Sequence, residues 1–268
     1  MTGSTPQSPI LEIRDLCIDA VAPGVPARRL VEDLSLTVAV GEVLGIVGES
    51  GSGKSLSAFA VARLLPDSIR VSGGSVHLGG QRIDDLDEGA MRGLRGGRIG
   101  FVFQDPLSSF NPVRSIGSIL IESIRRHQGL DRKAARALAV EMLSRMRLPA
   151  RSVDAYPHQL SGGQRQRAMI ALALANGPDL LIADEPTTAL DPTIQLQILA
   201  LLKQQTADRA SILITHDFSV AAAICDRIAV MHRGRLVETG LAAALLAHPQ
   251  HDYTRDLLRH ARLGGEAS

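Results

Sequence analysis

The sequence predicts an α/β fold: a mainly parallel sheet packed with helices, beside a smaller antiparallel sheet. Three observations lead there. Short apolar runs, Val43 to Val47, Arg98 to Phe103, Asp179 to Ala183 after its first residue, and Ala210 to Thr215, read as strands buried on both faces. Stretches of helical composition separate them. Around the first run, shorter segments alternate apolar and polar residues, as strands with one face exposed do.

Taken in order, Ile10 to Leu16 is a half-buried strand and Val21 to Pro26, with two prolines and a glycine, a turn. Leu30 to Val40 alternates again, with Leu34, Leu36 and Val38 on one face, and Gly41-Glu42 turns into the buried run Val43 to Val47. Leu56 to Leu65 is a helix that stops before Pro66. Gly73-Gly74 precedes a strand over Ser75 to Leu78, and Gly79-Gly80 is a hairpin turn. Asp105 to Pro112, rich in proline, serine and asparagine, is a loop. Ile116 to His127 and Arg132 to Met146 are helices, the second with an apolar stripe at Ala135, Leu138, Ala139, Met142 and Leu143. A further helix runs from Leu160-Ser161-Gly162-Gly163-Gln164 to about Ala175, closed by Asn176-Gly177-Pro178. Thr193 to Gln205 is helical, Ala221 to Ile224 belongs to a helix, and Ile228 to Met231 and Arg235 to Glu238 pair around Arg233-Gly234. The tail from Leu241 to Arg262 is helical in composition, interrupted at Pro249.

Composition narrows the function classes. The chain has 268 residues, 45% of them hydrophobic, enough for one domain with subdomains. Aromatics make up only 3%, with no Trp, so Leu, Ile, Val and Ala must form the core. A net charge of +1 points to neither a nucleic-acid binder nor a polybasic membrane-surface protein. Cys17 and Cys225 make neither a disulfide framework nor a cluster site and read as buried small hydrophobes. Met1 to Pro9 is polar without an apolar signal core, so secretion is not expected. No run of eighteen apolar residues predicts a membrane span.

The segment that carries chemistry is Gly48-Glu49-Ser50-Gly51-Ser52-Gly53-Lys54-Ser55, which fits the phosphate-loop pattern G-x-x-x-x-G-K-[ST]. It lies between a buried strand and a helix, the context the pattern requires; a merely flexible Gly/Ser loop needs neither. Its glycines let backbone N–H groups curl inward, and the helix N-terminus adds partial positive charge, a nest for nucleotide phosphates. Lys54 reaches the β- and γ-phosphates and the Ser55 hydroxyl binds Mg²⁺. Asp184 and Glu185 close another buried strand, at the carboxyl edge where α/β sheets bind ligands. Asp184 suits Mg²⁺, and Glu185 suits a base that takes a proton from attacking water; beside a phosphate loop this outweighs a plain Asp-Glu-Pro turn. His216 and Gln104 end two further strands, His216 placed to meet the γ-phosphate or hold water and base in register, Gln104 to sense Mg²⁺ and the water. Ser161 to Gln164 opens a helix, and from the residues alone it is either an ordinary N-cap or an anion site.

The phosphate loop, Gln104, Leu160–Gln164, Leu180–Glu185, Ala189-Leu190-Asp191 and His216 occur in the order that resembles ATP-binding cassette (ABC) ATPases. The resemblance covers about residues 10 to 260. It implies a P-loop, RecA-like core with an antiparallel β subdomain and an inserted helical subdomain over about 105–165. The ATP-binding domain then spans 10–262, between flexible ends at 1–9 and 263–268. It also implies ATP and Mg²⁺ as ligands, ATP hydrolysis as the activity, and head-to-tail pairing of two subunits. In that pair Ser161, Gly162, Gly163 and Gln164 of one chain clamp the γ-phosphate held by Gly48–Ser55 of the other, and Asp191 links the two sites. Mg²⁺ falls to Ser55, Gln104 and Asp184.

Phe103-Gln104-Asp105-Pro106, Ser109-Phe110-Asn111-Pro112, Tyr156-Pro157-His158-Gln159, Asp184 to Asp191 and the tail look like the dipeptide, oligopeptide and nickel importer branch. That likeness implies a peripheral subunit on the cytoplasmic face of the inner membrane, with two transmembrane permeases docking near the Gln104 loop. It also implies an extracytoplasmic solute-binding protein and a second ATPase subunit, read as a different chain in a heterodimer before an identical one in a homodimer. No nucleic-acid partner is implied. Peptides and nickel both stay open as cargo, with the short tail and the missing aromatic at Ala20 leaning toward the nickel-type members. Three departures stand out. Ala20 replaces the aromatic that usually stacks on adenine, Asp252 replaces a proline in His251-Asp252-Tyr253-Thr254, and the cysteines of an iron–sulfur extension are missing. A chromosome-type ATPase needs long coiled coils between the phosphate loop and Leu160, a translation-type ATPase two cassettes, and a P-loop kinase or GTPase leaves Leu160–Gln164 and His216 unexplained. The tail histidines His248, His251 and His260 read as a solvated helix face before a nickel site.

Overall fold

A computed structural model describes residues 9–188 and 190–265, the backbone alone for 261–265. Of the ends expected to be flexible, residues 1–8 and 266–268 lie outside the described residues, as does Ala189. In chain order the elements are β1 (Leu11–Ala22), β2 (Val25–Val38), β3 (Val43–Val47), α1 (Lys54–Ala62), β4 (Ile69–Leu78), β5 (Gln81–Arg82), α2 (Glu88–Leu94), β6 (Ile99–Val102) and α3 (Pro106–Ser109). There follow α4 (Ile116–Gln128), α5 (Arg132–Arg145), α6 (Gly162–Leu174), β7 (Leu180–Asp184), α7 (Pro192–Gln205), β8 (Ala210–Thr215), α8 (Phe218–Ile224), β9 (Arg227–His232), β10 (Arg235–Leu241), α9 (Ala242–Ala247) and α10 (Asp252–Gly265). Two compact units divide them: one takes the chain up to Met91 and again from Ala207, the other Arg92–Thr206.

In the first unit, β2-β1-β4-β5 form an antiparallel sheet. A second set of strands has β3 running parallel to both β8 and β9, with β10 antiparallel on β9. All five residues of β3 and all six of β8 are buried, which is why both read as unbroken apolar runs. The start of β3 is pinned by Val43 N–H donating to Asp226 Oδ2 at 2.9 Å and by an Arg227–Glu42 ion pair at 2.8 Å. Cys17 and Cys225 are buried thiols. In the second unit β6 runs parallel to β7, packed with α3 to α7. No helix among the described residues is long and apolar enough to cross a membrane.

Four sequence expectations need correction. The turn at Val21 to Pro26 shrinks to Pro23-Gly24, and Pro26 lies inside β2; β2 is an edge strand, where a missing N–H breaks no ladder. Gly73-Gly74 does not precede a strand but sits within β4, where the pairing with β1 slips register between Arg14 and Cys17, a bulge. The 105–112 loop contains α3, capped by Asp105, whose Oδ1 accepts the Leu107 N–H at 2.9 Å. That bond, then the Ser108 hydroxyl, holds the Asp105 carboxyl below its ordinary range. The expected strand 179–183 runs one residue later, so Asp184 is the last residue of β7.

Candidate functional site

In the first unit the phosphate loop joins β3 to α1. Gly48 carries φ 152°, and a Cβ there would lie 2.2 Å from the Met231 carbonyl oxygen, so no side chain fits beneath the turn. Gly53 is the N-cap of α1, left-handed and without a side-chain cap. A helix start capped by glycine, with partial positive charge from the helix, suits an anion. Lys54 is buried, and its Nζ donates to the carbonyls of Gly48 (2.7 Å) and Glu49 (2.8 Å), lying back across the loop. Three bonds brace the loop from outside. Gly234 N–H donates to Ser52 O at 3.0 Å, Ser57 Oγ to Gly53 O at 2.9 Å, and Glu49 N–H to the Tyr253 hydroxyl at 3.2 Å. Ser50 and Gly51 are exposed and Ser55 is half-buried.

His216 follows β8. Val47 pairs with Thr215, so Gly48 and His216 leave neighbouring strands at the same level. His216 is exposed, and Asp217 beside it caps α8 by accepting the Ser219 N–H at 2.7 Å. Ala20, in β1, pairs with Arg28 and Ile69 and is half-buried.

In the second unit, Asp184 is 4% exposed at the end of β7. Glu185 follows at φ 45°, a left-handed conformation that β-carbon sterics penalise. One oxygen of its carboxylate, Oε2, accepts from Gln104 Nε2 and from Thr188 Oγ1, each at 3.0 Å. The loop after β6 and the turn after β7 thus converge on Glu185, and its backbone strain lies where functional sites concentrate strain.

Ser161 caps α6 in a reciprocal box. Ser161 Oγ accepts the Gln164 N–H at 3.3 Å, and Gln164 Oε1 accepts the Ser161 N–H at 2.9 Å. Arg165 Nη1 donates to Leu160 O at 2.8 Å, which fixes the approach to the helix. Ser161 is exposed while Gly162, Gly163 and Gln164 are half-buried, so this firmly held helix start lies at the surface. Asp191, also exposed, caps α7 by accepting the Ile194 N–H at 3.0 Å. Arg167 on α6 donates to Gln197 on α7 at 2.7 Å, which keeps the two helices together.

The sequence-predicted residues therefore form two groups: Gly48–Ser55 with His216 in the first unit, and Gln104, Asp184, Glu185, Ser161–Gln164 and Asp191 in the second. Sequence reasoning missed two contacts. Thr188 was quoted only within the Asp184 to Asp191 run, though its place three residues after Glu185 suits a turn contact. Tyr253 was noted only as part of the tail motif. Each group has residue types that suit ATP with Mg²⁺: the first a cradle closed to side chains at Gly48 and the Ser55 hydroxyl, the second a buried carboxylate at Asp184 and the Gln104 amide oxygen.

Comparison with known proteins gives the family of the chain and the likeness of its fold. Residues 31–188 match the ABC transporter family. The chain is 47% identical over 267 residues to the glutathione import ATP-binding protein of Pectobacterium atrosepticum, covering 94% of this chain and 42% of that protein, less than half of its length. It is 45% identical to a putative peptide import ATP-binding protein of Brucella abortus, over 96% of this chain and 79% of that one. A dimeric ATP-binding cassette solved in a post-hydrolysis state with ADP and Pi superposes with a TM-score of 0.76 at 29% identity, over 87% of this chain and 98% of the cassette.

Proposed function

The chain belongs to the ATP-binding cassette family of transporter ATPases, and on that premise we propose that it powers the import of small peptides. It is an ATPase with an α/β cassette fold. The cargo class is carried by its relatives: those compared above are named for glutathione import and for peptide import, and glutathione is itself a small peptide. Neither of those relatives is named for nickel, the other cargo open from the sequence. The proposed assembly has two transmembrane permeases, an extracytoplasmic solute-binding protein and a second ATPase chain, at the cytoplasmic face of the membrane. The proposed ATP-binding domain runs over 10–262, with the helices between about 105 and 165 as its permease-facing subdomain; Leu107 and Val113 there are exposed apolar residues, 52% and 79% accessible.

The single observation that carries the hydrolytic mechanism is Glu185, held in a strained backbone with its carboxylate fixed by Gln104 and Thr188. The phosphate loop binds the triphosphate, and Lys54 turns from the Gly48 and Glu49 carbonyls to the β- and γ-phosphates. Glu185 takes a proton from water as the water oxygen bonds to the γ-phosphorus. The bond from that phosphorus to the bridging oxygen breaks, and ADP leaves with the electron pair. His216 holds the water and the base in register. Ser55, Asp184 and Gln104 would hold Mg²⁺, which would supply charge neutralisation on the phosphates. Ser161–Gln164 of the second ATPase chain closes over the γ-phosphate, and its loss after hydrolysis reopens the pair.

Uptake assays in a strain deleted for this chain test the cargo. Labelled di- and tripeptides, glutathione included, are expected to enter only when the gene is restored. Restoration of nickel uptake with no peptide uptake would overturn the peptide reading.

A further inference from the structure

The start of α10 lies against the phosphate loop through a chain of contacts that the catalytic scheme does not use. Glu238, on β10, accepts two backbone N–H groups, from Gln250 at 2.8 Å and His251 at 3.1 Å. His251 Nδ1 in turn accepts the Tyr253 N–H at 3.2 Å. Gln250 Nε2 donates to His248 O at 2.8 Å, and Arg255 Nη1 to Gln250 O at 3.0 Å. Thr254 is fully buried and Leu258 is 7% exposed, so the first turns of the helix are packed down. The Tyr253 ring meets the His232 ring, centroids 3.8 Å apart at 39°, and its hydroxyl accepts the Glu49 N–H.

Glu49 is the second residue of the phosphate loop, and both its backbone groups are engaged: its carbonyl by Lys54, its N–H by Tyr253. Once Lys54 turns to phosphate, its bond to the Glu49 carbonyl is given up. Tyr253 makes no such exchange in that scheme, because its hydroxyl, not a phosphate oxygen, is the acceptor of the Glu49 N–H. We propose that the segment 248–254 is a strap that holds the phosphate loop in its nucleotide-ready shape, with Tyr253 as the positioning residue. Pre-set loop geometry lowers the ordering cost of binding, so the strap acts on ATP affinity rather than on the chemical step. The proposal rests on the loop being the ATP site.

The test is calorimetric binding of MgATP to the full chain, together with the thermal midpoint of the nucleotide-free chain and steady-state ATP turnover. Tyr253→Phe keeps the ring on His232 and removes only the acceptor. It is expected to weaken ATP binding by about 2- to 10-fold, the scale of one hydrogen bond, and to raise KM alike. The kcat stays at its wild-type value, and the nucleotide-free midpoint falls by no more than the loss of one hydrogen bond, because the ring stays packed. Unchanged ATP affinity overturns the proposal. So does a lower kcat with unchanged KM, which places Tyr253 in the chemical step rather than in the shape of the loop. Lys54→Ala separates the two readings: ATP binding that survives it removes the loop as the ATP site, whatever Tyr253→Phe does.

Discussion

Glu185 and Ala20 show what single residues contribute and what they leave open. Glu185 adopts φ 45° although it has a side chain, and its carboxylate is fixed by two donors at 3.0 Å. A base held this way needs no reorganisation when water arrives. At Ala20 the side chain stops at Cβ, so the base of ATP has no ring to lie on there. Ala20→Tyr is expected to tighten ATP binding by about 1–3 kcal/mol, the scale of base stacking on an aromatic, measured by calorimetry. Unchanged affinity would mean that the base is held elsewhere. The residue types of the site were legible in the sequence because phosphate binding, metal binding and proton transfer each demand a narrow choice of side chains. The strain at Glu185 and its bond to Thr188 were not legible, because a left-handed dihedral on a residue other than glycine leaves no compositional mark.

Among elements, α6 joins two readings that the residues alone left open. Ser161 and Gln164 close a capping box, so the sequence is an ordinary N-cap. Ser161 is also exposed at the helix start, as a clamp on a partner's γ-phosphate requires. Ser161→Arg is expected to abolish ATP hydrolysis while the same chain binds ATP with wild-type affinity, since its own phosphate loop is untouched. Unaltered turnover would contradict action in trans. Loss of the serine cap costs about 1 kcal/mol of helix stability, too little to unfold the chain. Strands buried on both faces and helices with an apolar stripe were placed within a residue or two by periodicity. Elements that depend on edges and bulges were not. Pro26 is tolerated because β2 has a free edge, and Gly73-Gly74 continues β4 because the sheet bulges there. Neither fact is written in local composition, and α2 has too short an apolar pattern to announce itself.

At the scale of the molecule, every group assigned a role in the site falls into one of two compact units, with the phosphate loop in one and Glu185 and Ser161–Gln164 in the other. The order of motifs along the chain made the cassette legible in the sequence. The strap was not legible, because Tyr253 and Glu49 lie 204 residues apart in sequence and meet only in the fold. Burial raises the Glu238 carboxyl pKa, but the Gln250 N–H, the Thr254 side chain and the His251 N–H together outweigh it and hold the value below ordinary. The anchor is therefore complete above the ordinary carboxylate range and weakens only as pH falls through the lower folded value. The central claim is that Glu185 is the base of a site completed by a second ATPase chain. Glu185→Gln tests it most directly, by phosphate release and ATP-dependent association measured on one purified sample. Turnover is expected to fall about 10²- to 10⁴-fold while ATP still binds and still drives two chains together. Near-normal phosphate release from that variant would contradict the account.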